Sequence, residues 1–88
     1  MKKLSFYDQK NVISHALKVC RVKENLTQAE LAAKMQTLGI NLDQQMISKI
    51  ENNTRIVTDY ELASFCLALH IKLEDLLADF YKKYAEKC

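Results

Sequence analysis

Gln44, Gln45, Ser48 and Lys49 fall in one short stretch, with Ile47 and Ile50 set between and after them. A glutamine amide carries a donor and an acceptor side by side, and so can pair with adenine N6 and N7 in a DNA major groove. Lysine suits guanine O6 and N7, or a phosphate, and serine suits a base or a phosphate. Lys49 follows Gln45 by four residues, which puts both on one face of a helix. The two isoleucines then fall on its inner side. Polar side chains at this spacing also make an ordinary solvated face, so the elements on either side decide the reading.

Thr27 followed by Glu30 is a capping box, in which each side chain bonds the other's backbone N–H. Leu31, Ala32, Met35 and Leu38 continue it as an apolar stripe, predicting a second helix over 28–38. Gly39 can stop that helix in a left-handed conformation. A third helix is predicted over about 44–52, with Asn53 in the left-handed position beyond it. Helix, glycine-containing turn and polar-faced helix make a helix-turn-helix pattern. The first helix is predicted over about 7–24, capped near Ser5 or Asp8. Its inner stripe is Ile13, Ala16, Leu17 and Cys20; Val12, Val19 and Val22 widen the apolar surface toward a second element or a partner. Thr58 with Glu61 opens a fourth helix that runs through Leu69, with Leu62, Phe65, Cys66 and Leu69 inward. A fifth begins near Leu73 and carries Leu76, Leu77, Phe80 and Tyr84.

The 88 residues suffice for one domain, 1–88. No proline and a single glycine disfavour strands joined by tight turns, so the fold class is all-α. No apolar run is long enough to span a membrane, and the first ten residues lack the hydrophobic region of a secretory signal. The expected location is the cytoplasm. Cys20, Cys66 and Cys88 form no C-x-x-C pair and no zinc-ligand spacing, so no metal or other cofactor is expected. Cys20 and Cys66 read as core filler. His15 and His70 stand alone, and nothing forms a catalytic constellation, so no enzyme is expected. Charge is polarised: residues 1–26 carry +4, 27–58 carry 0 and 59–88 carry −2.

Over roughly residues 13–77 the chain resembles the phage-repressor and Cro-type (XRE-like) family of helix-turn-helix domains. Arg21, Leu26-Thr27-Gln28, Leu31-Ala32, Ile47-Ser48-Lys49-Ile50-Glu51-Asn52, Leu62-Ala63, Leu69 and Leu73-Glu74-Asp75-Leu76-Leu77 carry the resemblance. It implies a compact five-helix lambda-repressor-like domain, with residues 78–88 as the end of helix 5 and a tail. It places Gln44 and Gln45 at the start of the recognition helix. It gives Gln28, with Thr27 beside it, a hold on the DNA backbone at a helix N-terminus. It pairs Arg21 with Glu51 as a structural ion pair. Asn52, Asn53, Thr54 and Arg55 form a polar loop suited to phosphate contact. Two departures stand out. About five extra residues separate Leu31 from Ile47, leaving the cap of helix 3 open between Asn41 and Asp43. Lys72 stands where a serine-like cap usually opens helix 5.

The expected function is a sequence-specific, DNA-binding transcriptional regulator, a repressor. It would insert helix 3 into the major groove of double-stranded DNA as a homodimer on a palindromic operator. The stretch Phe80-Tyr81-Lys82-Lys83-Tyr84 is the first candidate for the dimer surface. The alternative is a protein-interaction module, antitoxin-like or an anti-repressor partner, that keeps the fold without sequence-specific DNA binding; a regulatory protein is a further candidate partner.

Overall fold

The computed structural model describes residues 8–84, without the side chain of Tyr84. They form α1 (Ser14–Lys23), α2 (Gln28–Thr37), α3 (Gln44–Glu51), α4 (Asp59–Leu69), α5 (Leu73–Leu76) and α6 (Ala78–Tyr84). No strand occurs among them. Local signals set most boundaries. Thr27 and Thr58 each close a full capping box, with Glu30 and Glu61 respectively. Asp43, not Asn41, caps α3: its carboxylate accepts from Met46 N at 2.8 Å. Asn53 is left-handed beyond α3 (φ 62), and Gly39 is left-handed beyond α2 (φ 83). His70 does the same beyond α4 (φ 56).

One core serves all the helices. Ile13 and Leu17, Leu31 and Met35, Ile47 and Ile50, Phe65 and Leu69, and Leu76 meet in it, with Leu42 from the turn. Cys20, Met46, Leu62, Cys66 and Leu77 pack against its edge. α2 and α3 pack on each other; α1 backs α3, and α4 backs α2.

Three expectations need correction. The first helix begins at Ser14, not near residue 7. Asp8 is left-handed (φ 64), and the Asn11 side chain accepts from Ile13 N at 3.0 Å, a local bond that competes with helix. The segment before α1 instead docks on the α3–α4 loop, where Lys10 N and Asn11 N both donate to Asn53 Oδ1. Ser5 and Tyr7 lie outside the described residues.

The second correction is Leu38. It follows the last residue of α2 and is 44 % exposed, while Leu42 fills the core place beneath the turn. Of the three valines of the predicted first helix, Val12 packs against the core edge, while Val19 and Val22 stay exposed on the surface. Last, the predicted fifth helix is broken. α5 is a single turn, and Leu77 (φ −94, ψ 6) separates it from α6. The Lys72 side chain cannot accept a hydrogen bond, so the α5 start is closed from the other side: Lys72 N donates to Asp75 Oδ2 at 3.0 Å.

Candidate nucleic-acid interface

α3 has two unlike faces. Ile47 and Ile50 are 0 % exposed, and Met46 is half-buried against the core. Gln44, Gln45 and Lys49 are exposed. Ser48 is half-buried, and its Oγ accepts from Asn52 Nδ2 at 3.4 Å. Four of the sequence-predicted residues therefore share one helix, and three of them are exposed. Their amide and ammonium groups form no hydrogen bond or ion pair among the described residues. Donors and acceptors held this way on a rigid helix can meet base edges without first breaking internal bonds.

A clamp at the far end of α3 fixes its angle. Arg21 Nε donates to Glu51 Oε2 at 2.7 Å, and Nη2 donates to Glu51 Oε1 at 3.1 Å. The third guanidinium bond, Nη1 to Leu26 O at 2.7 Å, adds the chain just before α2. Gln28 joins the same carboxylate, its Nε2 donating to Glu51 Oε1 at 3.0 Å. α1, the start of α2 and the end of α3 thus converge on one buried carboxylate. Gln28 is half-buried at the first position of α2, where the N–H groups of the first turn lack intrahelical acceptors. Thr27 is exposed, and its hydroxyl accepts from Glu30 N at 3.0 Å as the cap.

The loop after α3 is occupied mainly with its own architecture. Asn53 Oδ1 holds the backbone before α1. Thr54 Oγ1 donates to Lys49 O at 3.1 Å. Arg55 lies against Glu61, with Nη1 to Oε1 at 3.0 Å and Nη2 to Oε2 at 3.1 Å. That bond raises the Arg55 pKa above its ordinary value. Burial works to raise the Glu61 pKa, but the bonds from Arg55 and Thr58 outweigh it and hold the carboxyl below its usual range. Of the four loop residues, Asn52 and Thr54 are exposed, and Asn53 and Arg55 are half-buried.

Two residues that organise this region carry no sequence signal of their role. Asn11 is buried and donates to Ile50 O at 3.1 Å and Arg55 O at 2.9 Å. Glu61 is buried, and besides its part in the capping box it receives Arg55. Asn11 bonds partners roughly forty residues away, beyond the reach of any local pattern. Cys20 and Cys66 are half-buried and free, and burial pushes both thiols up. Cys88 lies outside the described residues. His15 and His70 are exposed. No helix among the described residues is long and apolar enough to cross a membrane.

A recognition helix backed by a capped second helix defines the class of protein. The family model described as Helix-turn-helix matches residues 17–76, and the chain belongs to this family, the XRE-type DNA-binding regulators. Among solved structures, the wild-type restriction-modification controller protein C.Esp1396I is 32% identical, with 89% of this chain and 97% of that chain covered and a TM-score of 0.66. The clp gene regulator ClgR from C. glutamicum is similar in fold at 24% identity, with 85% and 91% covered and a TM-score of 0.71. A hypothetical transcription factor, NHTF, from Neisseria is similar in fold at 20% identity, with 91% and 86% covered and a TM-score of 0.71. No curated protein sequence matches the chain.

Proposed function

We propose that this chain is a sequence-specific transcription regulator, a cytoplasmic repressor that inserts α3 into the major groove of double-stranded DNA. The observation that carries the reading is the α3 face: Gln44, Gln45 and Lys49 in solvent above a helix whose Ile47 and Ile50 are wholly buried. Gln44 and Gln45 read adenines, Lys49 reads guanine, and Ser48 supports them. Thr27 and Gln28 hold the DNA backbone at the start of α2, with Asn52 and Thr54 as further phosphate contacts. Arg55 and Asn53 join the set at the rim, since both are partly engaged within the fold. The similarity to a restriction-modification controller protein supports a regulatory role.

One recognition helix touches few base pairs. A homodimer on a palindromic operator, with half-sites about one helical turn apart, doubles the readout. The C-terminal third offers the surface for it. Tyr60 and Leu67 are 61 % and 65 % exposed on α4, and Leu73 and Tyr81 are exposed beyond it. Ala63 lies between the first two, so α4 carries a second apolar stripe at i, i+3, i+7 that the monomer leaves uncovered.

Selection from random duplexes, followed by titration of the selected site at several salt concentrations, tests this. The expected result is a two-fold symmetric site and a steep loss of affinity with salt, as phosphate neutralisation requires. Absence of sequence preference together with salt-insensitive capture of a protein partner would transfer the reading to a protein-interaction module.

A further inference from the structure

The chain has five asparagines, and four have a visible task. Asn11 tethers the backbone of the α3–α4 region through two donated bonds. Asn25 takes a left-handed conformation after α1 (φ 59). Asn52 donates to Ser48 Oγ. Asn53 is left-handed and accepts two backbone N–H groups. Asn41 has no such task. Asp43 caps α3 in its place, its own backbone is not left-handed, and its amide has no hydrogen-bond partner among the described residues. It is exposed.

The turn around it is nevertheless fixed. Ile40 N donates to Met35 O at 3.0 Å, and Leu42 N donates to Ile40 O at 2.9 Å. Leu42 is fully buried, and its carbonyl accepts from Gln36 Nε2 at 3.2 Å. An exposed amide is thus carried on an anchored backbone. It lies three residues before Gln44, at the amino-terminal end of α3. In this docking mode that is the end whose residues meet base edges. From Thr37 to Leu42 the turn carries no charge, and the carboxylate that follows, Asp43, is engaged by Met46 N. A turn already held in place gives up little conformational freedom on binding.

We propose that Asn41 is a further specificity-determining residue, pairing with an adenine edge next to the base pairs read by Gln44 and Gln45. Asparagine presents the same donor and acceptor pair as glutamine to N6 and N7. The extra length of the turn then extends the reading surface beyond α3. The proposal rests on the DNA-reading role of α3.

The test is selection from random duplexes with the wild type, Asn41→Ala, Asn41→Asp and Gln44→Ala, each checked for unchanged melting. Asn41→Ala is expected to lose preference at one flanking position and about 5- to 150-fold affinity for the best site, with other positions retained. Asn41→Asp, an acceptor only, is expected to move that position from adenine toward cytosine. If Gln44→Ala changes the site and neither Asn41 variant does, Asn41 reads nothing and the role of α3 stands. An equal loss on all duplexes would make Asn41 a backbone contact and overturn the base reading. No selective binding by the wild type would overturn both.

Discussion

Arg21 of α1 and Glu51, the last residue of α3, form a two-bond ion pair with side chains only 10 % and 3 % exposed. The pair sets the inclination of the recognition helix, because each partner sits on a different element. Removing one partner leaves a charge buried without its counterion, which costs about 3–5 kcal/mol. Arg21→Ala and Glu51→Ala are therefore expected to melt well below the wild type in a thermal scan. A variant that kept wild-type melting and lost only DNA binding would show that the pair contacts DNA instead of supporting α3.

Asn11 and Asn53 form the second tie, between the start of the described chain and the loop after α3. Asn11→Ala removes the bonds to Ile50 O and Arg55 O; Ile50 O keeps its bond from Asn53 N, so each lost bond costs about 0.5–1.5 kcal/mol. Asn53→Ala loses two accepted bonds and strains a left-handed position. Both variants are expected to lower the denaturant midpoint, with faster hydrogen exchange at Lys10 and Asn11 in the second. Unchanged exchange there in Asn53→Ala would mean that the bonds do not hold the segment.

These ties mark the limit of what the residues alone made legible. The boxes at Thr27 and Thr58, the stop at Gly39 and the two-faced α3 rest on neighbours three or four residues apart, so the sequence displays them. The start of α1 does not, because the residues that unwind it bond a loop more than forty positions away. Leu38 fits the α2 stripe by spacing, yet the helix ends one residue earlier, and Leu42 folds back into the vacated place. Nothing local to Arg55 shows that Glu61 already takes two of its donors. The outward side chains of α3 were legible because burial of Ile47 and Ile50 leaves them no other direction.

Glu61 predicts a pH dependence. Its carboxyl is held below the ordinary range in the folded chain, so it binds its proton less readily there than in the unfolded chain. Its stabilising effect is complete above the unfolded value, near 4.3, and disappears as pH falls through the folded value. Stability is thus expected to drop on acidification below about pH 4.5. Glu61→Gln should be less stable at neutral pH by about 1–3 kcal/mol, having lost charge-assisted bonds from Arg55. Its acid profile should be flatter than that of the wild type. Parallel profiles for the two proteins would rule out Glu61 as the titrating group.

Leu67 tests the proposed dimer surface without disturbing the core, since its side chain points into solvent. Leu67→Lys is expected to fold normally and to weaken self-association by about tenfold or more, equivalent to roughly 1.4 kcal/mol. Sedimentation at several concentrations reads the change. An unaltered profile would exclude this face of α4 and turn attention to Val19 and Val22 on α1, which are also exposed.

The proposed DNA interface divides into two kinds of contact, which substitution would separate. Gln44, Gln45 and Lys49 are free of internal bonds, so their truncation removes only what they give to DNA. Each alanine variant is expected to cost about 1–3 kcal/mol at one position of the selected site and to relax preference there. Gln28 differs because its amide already donates to Glu51 at 3.0 Å. Its second amide hydrogen is left for the proposed phosphate contact, with the amide oriented by the Glu51 carboxylate. Gln28→Ala should lower affinity similarly on all sequences and reduce the salt slope, leaving the selected site unchanged. It should also lose about 0.5–1.5 kcal/mol of stability through the missing bond to Glu51. If Gln28→Ala altered the selected site while the three α3 variants did not, the reading surface would lie at the start of α2. α3 would then be a support, and the division of labour would be the reverse of the one argued from its exposed face.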